Sequence, residues 1–222
     1  MKKERRGWII SAAIVCIVTC FADYIITFML AEKYPGYNRL TDTLSKLGAT
    51  ASPVGKTISC WWLILSVFFI FFSIGFYQAF RHKGKTAYIA TWLIVIYALG
   101  EGMGSGLFPA DYKEHGLTFS LIIHDTFSGI GVGSIIIFPL VMMQLFRKEE
   151  FRLFRLLSII VTVIGLSMLI LFSIAKTFND PDNIIHSYKG LWQRLMNANY
   201  YLYLIAIAGY MLSHKTALKR AV

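Results

Sequence analysis

The chain is 222 residues long, 56% hydrophobic and only 15% charged, with a net charge of +10 and a mean hydropathy of +0.59. That balance excludes an ordinary soluble domain, in which charged residues make up about 25%. The basic excess does not mark a nucleic-acid binder either: Lys and Arg fall in short clusters between apolar runs, with no basic face on which a duplex could lie.

Residues 1–6 form a basic cap, and residues 8–30 form the first apolar run. About 20 such residues suffice to cross a bilayer. The run is too long for a secretory signal and lacks a small-x-small cleavage site, so it reads as an uncleaved helix. Residues 31–56 are polar and broken by Pro35-Gly36 and Ser52-Pro53. Within them, residues 41–47 predict a short amphipathic helix at the interface, stopped by Gly48.

The second span covers residues 57–80 and opens on Trp61 and Trp62, which favour the membrane–water boundary. A basic turn at 81–85 leads into the third span, 86–108, and a short loop leads to the fourth, 118–146. A second basic turn, 147–155, precedes the fifth span, 154–175. An acid-rich loop at 176–189 precedes the sixth, 191–212. The expected fold is all-α: one polytopic membrane domain of six transmembrane helices. The basic clusters at 1–6, 81–85, 147–155 and the tail fall on one side, which places both termini in the cytoplasm. Cys16, Cys20 and Cys60 lie in apolar runs with neither a disulfide framework nor metal-type spacing. No internal repeat of the kind found in many transporters is evident.

Ionisable groups inside such spans are costly and point to function. Counting 1.5 Å per residue from the span ends, Asp23, Glu101 and His124 each lie about 10 Å below the outer boundary. Arg194 and Asn197 enter at a similar level, and Tyr201 follows on the same stripe of the sixth span. Groups at one depth in hydrocarbon must meet each other or line a water-filled cavity. A polar pocket open to the extracytoplasmic side is therefore expected. It would hold membrane lipids, or an amphiphilic or anionic small molecule for which Arg194 supplies a bidentate anchor.

Two chemistries suit these residue types. His124, beside Asp125 and near Glu101, would act as a general base on a hydroxyl or water, with Ser45 of the outer loop or Ser128 as the nucleophile. Alternatively His124, Glu101 and Asp23, with His115, would hold zinc, but no ligand spacing such as HExxH is present and no metal or cofactor is assigned. The catalytic candidates are thus His124, Asp125 and Glu101. The ligand-binding candidates are Asp23, Arg194, Asn197, Tyr201 and Ser45. A structural reading competes, in which the carboxylates pair with Arg194 and His124 to fix helix register in a non-enzymatic binding, sensing or assembly protein. The glycines around Glu101, at 100, 102, 104 and 106, read as helix-packing positions rather than a phosphate cradle.

Several short motifs together carry a resemblance. These are Leu44-Ser-Lys-Leu-Gly48 followed by Pro53, then Phe108-Pro-Ala-Asp111, His124 in the fourth span, and Gly190-Leu-Trp-Gln-Arg194 opening the sixth. They resemble a bacterial membrane family catalogued as domain of unknown function 998. The resemblance implies a six-helix protein of the bacterial plasma membrane and brings no assigned activity. The Ser, Asp and His set is also faintly similar to membrane hydrolases related to alkaline ceramidases. Those have seven spans and a late paired-histidine motif that this chain lacks, so no residue roles follow.

Overall fold

A computed structural model describes residues 2–113, 116–146, 152–177 and 183–213. His115, residues 147–151 of the second basic turn, residues 178–182 of the acid-rich loop and the tail beyond residue 213 lie outside the described residues.

Six long helical stretches correspond to the six expected spans. Helix α1 runs Lys2–Glu32. The four-residue helix α2, Leu44–Leu47, stands where a longer amphipathic helix was expected. Helix α3 is Gly55–Phe80. The third stretch is composite: α4 (Lys85–Tyr97), a π-helical segment (Ala98–Gly104) and the single turn α5 (Ser105–Leu107). A two-residue β-ladder, β1 (Tyr112–Lys113) against β2 (Gly116–Leu117), closes the next loop. Helices α6 (Phe119–Leu145) and α7 (Arg152–Thr177) follow, then the short α8 (Ile184–Ser187) and α9 (Lys189–Ser213).

Five of these stretches are long and apolar enough to cross a membrane: Arg6–Glu32, Gly55–Lys83, Lys85–Leu107, Phe119–Leu145 and Arg152–Thr177. The chain is an all-α, multi-pass membrane protein. Helix α9 is as long as the others, with 25 residues. It carries Lys189, Gln193, Arg194, Asn197 and Asn199 in its first half and is not among the five.

Helix α1 packs against α3 and α9, α4 against α6, and α7 against α9. The half away from α2 is filled by aromatic rings. Phe76 sits 4.8 Å from Phe80 and 5.9 Å from Phe138, and Phe80 sits 5.9 Å from Phe146. Aromatic pairs at such distances add to the burial of their area. A second, smaller core lies under the loop that contains α2, where Leu30, Leu47, Val54, Ile58 and Trp62 pack together. The loop is therefore a packed cap rather than a free tether. Its turn uses Gly36 at φ 75°, a conformation that disfavours residues with a Cβ.

The glycine row of the π segment has a geometric cause. A Cβ added at Gly100 would lie 2.5 Å from the Phe127 carbonyl oxygen and 2.6 Å from Gly131 Cα on α6. One at Gly102 would lie 2.7 Å from Ser66 Cβ and 2.9 Å from the Trp62 carbonyl on α3. Gly100 and Gly104 thus face α6, whereas Gly102 and Gly106 face α3. The segment is wedged backbone-to-backbone between two neighbours, the packing that small residues permit in membranes. A π turn so placed is a frequent mark of a functional position. Here it carries Glu101.

Candidate functional site

The cap and the ends of the helices meet in one polar layer, and each sequence motif has a partner there. Thr118 starts α6: its Oγ1 accepts from Leu121 N at 3.0 Å, the side-chain cap that satisfies an orphan N–H. The same hydroxyl donates to the Asp111 carbonyl at 2.8 Å, and Ser120 Oγ donates to the Pro109 carbonyl at 2.8 Å. The Phe108–Asp111 turn is thereby tied to the first turn of α6. The Asp111 carboxylate in turn accepts from Thr50 N at 2.7 Å and from Thr50 Oγ1, pinning the cap to this turn.

One helical turn further along α6, His124 is 2% exposed. Its Nδ1 is 2.8 Å from the Phe108 carbonyl oxygen, and its Nε2 is 3.1 Å from Ser45 Oγ. A carbonyl only accepts, so Nδ1 carries the proton; in the neutral ring Nε2 is then the acceptor and Ser45 donates to it. Ser45 lies in α2, whose first backbone N–H, that of Leu44, donates to Gln193 Oε1 at 2.7 Å. A buried glutamine on α9 and a buried histidine on α6 together fix the serine's turn.

Asp23 on α1 is 6% exposed. Its two carboxylate oxygens accept from Trp61 Nε1 at 2.7 Å and from Tyr201 Oη at 3.0 Å. Glu101 accepts a hydrogen bond from Ser128 Oγ. A narrow cleft connects these groups, lined among others by Asp23, Ser45, Glu101, Ser105, Asn197 and Tyr201. A second cleft adjoins it and shares Asp23, Leu44 and Asn197, adding Tyr24, Thr27, Phe28, Arg39 and Arg194.

The structure thus gathers Asp23, Glu101, Ser45, Asn197 and Tyr201 around one cleft, with His124 directly behind Ser45. Two expected placements are corrected. Asp125 does not orient His124: a helix advances 100° per residue, and the Asp125 carboxylate turns away to Lys176 Nζ at 2.8 Å. Arg194 pairs with no carboxylate among the described residues. Its Nη1 donates to the carbonyls of Arg39 at 2.6 Å, Asp42 at 2.8 Å and Gly190 at 3.0 Å, and its Nη2 to Tyr37 Oη. Burial pushes the Tyr37 hydroxyl above its usual pKa, against the opposing pull of Arg194. It stays protonated and donates onward to the Thr43 carbonyl at 2.9 Å. The guanidinium is consumed in holding the cap. Glu101, His124 and Arg194 accordingly form no direct triad: each has a different partner.

Gln193, Trp61 and Ser105 were missed in the sequence. For Gln193 the signal was its i, i+4 spacing to Asn197 on a helix already carrying polar residues. Trp61 gave no such signal, because an interfacial tryptophan and one donating to a buried carboxylate look alike in a sequence. No group of three or more His, Cys, Asp or Glu able to hold a metal occurs among the described residues. The three cysteines are free thiols.

Neither the curated proteins nor the solved structures give a match to this chain. One family model, described as a protein of unknown function (DUF998), matches residues 17–210, from the middle of α1 almost to the end of α9. That stretch holds every motif of the cap layer and most of the bundle, and the chain is a member of the DUF998 family.

Proposed function

We propose that this protein is a membrane-embedded hydrolase or acyltransferase acting on a lipid-like ester, with Ser45 as nucleophile and His124 as general base. One observation carries the reading: His124 Nδ1 is held by the Phe108 carbonyl, leaving Nε2 facing Ser45 Oγ at 3.1 Å. Nucleophile, base and orienting group in hydrogen-bond sequence are the arrangement that activated serines require. In this scheme Ser45 Oγ bonds to the acyl carbon while its proton passes to His124 Nε2. The leaving alkoxide departs with that proton. Water or an acceptor alcohol then attacks the acyl-serine, giving its proton to the same nitrogen, and Ser45 regains one. Asp23, Glu101 and Asn197 line the cleft in which the ester would lie.

The purified protein in detergent should hydrolyse a p-nitrophenyl ester. His124→Ala should slow it by about 10²–10⁴-fold, the usual worth of a positioned base. Ser45→Ala should abolish turnover. Turnover unaffected by either change would refute the reading.

The same proposal includes the setting: the bacterial plasma membrane, one domain with α9 as a sixth crossing, and both termini cytoplasmic. The basic clusters at 1–6 and 81–85 support it. The cap and its cleft then face outward. On a cysteine-free background, a cysteine placed at Asn38 should react with a membrane-impermeant maleimide in intact cells. Reaction only after lysis would reverse the orientation.

A further inference from the structure

We infer that the Ser45 cleft is filled from the bilayer, sideways between α1 and α9, by an amphiphile without net negative charge. The inference rests on the Ser45–His124 reading and names the substrate class it would take. The two clefts share Asp23, Leu44 and Asn197, so the outer one leads directly into the one that holds Ser45. Its walls are Tyr24, Thr27 and Phe28 of α1 and Arg194 and Asn197 of α9, two helices packed against each other. Phe28 is 57% exposed, and its neighbours Phe21, Ile25 and Met29 are exposed as well. In a spanning helix such a face meets lipid, so the outer cleft opens where acyl chains already lie.

Tyr24 of α1 bridges the gap at its mouth. It donates to the Arg194 carbonyl at 3.1 Å and packs edge-on against Tyr201 with ring centroids 5.7 Å apart. With the Tyr201–Asp23 bond behind it, this contact ties α1 to α9 at the mouth, and its one rotatable ring can swing aside. The chain of an amphiphile would then rest along Phe28 and Ile25 while its ester reaches past Asn197 to Ser45.

Charge decides the head group. Asp23 and Glu101 line the inner cleft, and no Lys, Arg or His lines it. In the outer cleft the Arg194 guanidinium is spent on backbone carbonyls. Arg39 pairs with Glu32 and stacks on the Phe28 ring at 3.7 Å; its buried Nε has no hydrogen-bond partner among the described residues, but Arg39 lines the outer cleft and not the inner one. At the inner cleft an anionic head group would find two carboxyl groups and no cation, and an unneutralised charge in a poorly solvated cleft is costly. A neutral head group such as a glycerol monoester meets hydrogen-bond partners only.

The test uses two serine-directed fluorophosphonate probes on the whole protein in lipid nanodiscs, one with a short alkyl group and one with a long chain. Thr27→Phe places a ring in the outer cleft without touching Ser45 or His124. It should slow Ser45 labelling by the long-chain probe about ten-fold or more, the worth of one lost binding anchor, with the short probe little changed. Equal loss of both probes, or none, would overturn lateral access. Failure of both probes on the unaltered protein would instead sink the serine-nucleophile reading itself. In case Thr27→Phe does not fold, a photoactivatable long-chain monoacylglycerol should crosslink to α1 and α9 of the unaltered protein. Crosslinks confined to α4, α6 or α7 would contradict the route. Protection of Ser45 by the free fatty acid as strong as that by the monoacylglycerol would contradict the charge preference.

Discussion

Gly100→Val is expected to leave almost no folded protein. The backbone of the π segment touches the backbone of α6 at this residue, with Gly131 Cα 2.6 Å and the Phe127 carbonyl oxygen 2.5 Å from where a Cβ would stand. Neither is the end of a flexible side chain, so two helices must separate. Overpacking in a core costs about 1–3 kcal/mol and sometimes more, against a total stability of about 5–15 kcal/mol. Separation also withdraws the π segment from α3, where a Cβ at Gly102 would meet the Trp62 carbonyl at 2.9 Å, and takes Glu101 away from Ser128. Both neighbours are lost at once. Gly129→Ala on α6 is the control, because nothing lies within 4 Å of its added Cβ. Fluorescence-detected size-exclusion chromatography and thermal melting in detergent measure both. A Gly100→Val protein that elutes and melts like its parent would contradict the packing.

Arg194→Leu is expected to release the cap. The guanidinium satisfies three backbone carbonyls and the Tyr37 hydroxyl, and leucine satisfies none of them. Hydrogen bonds to charged groups contribute about 1.5–3 kcal/mol each, and acceptors left unpaired cost more than those returned to water. These carbonyls are partly solvated once the cap lifts, so a net loss of about 3 kcal/mol is expected. Arg194→Lys should recover little of it, because one ammonium cannot span the fork that reaches the carbonyls and the tyrosine together. Limited trypsin digestion provides the readout: cleavage after Lys33 and Arg39 should accelerate in both variants. If Arg194 served instead as an anion anchor, both variants would keep the cap resistant to protease.

The contrast between these two residues shows how far the sequence could be read. The spans were legible because hydropathy and length are one-dimensional, and the bundle obeys them. That Asp23, Glu101 and Asn197 share one level, and so can line one cleft, was legible for the same reason, since a fixed rise per residue converts position into height. Rotation about the helix axis was legible only in part. It separated Asp125 from His124 by 100°, but could not show that Lys176 waits on the far side. Arg194 looked like the natural partner of the buried carboxylates. It sits in the first turns of α9, within reach of a folded-back loop whose carbonyls had no position in the sequence. The cap was the blind region: α2 is four residues long, and its link to His124 joins positions that only the tertiary fold brings together. Ser45 was named as a candidate because it lay in the outer loop, not because its partner could be seen.

The most direct measurement is the site of covalent modification. The protein in lipid nanodiscs, incubated with a short fluorophosphonate and digested, should yield by mass spectrometry an adduct on Ser45. The adduct should be essentially absent from His124→Gln protein that melts at the parent temperature, since glutamine can still hydrogen-bond but cannot take the proton. No adduct on Ser45, or an adduct forming equally fast without His124, would contradict the account.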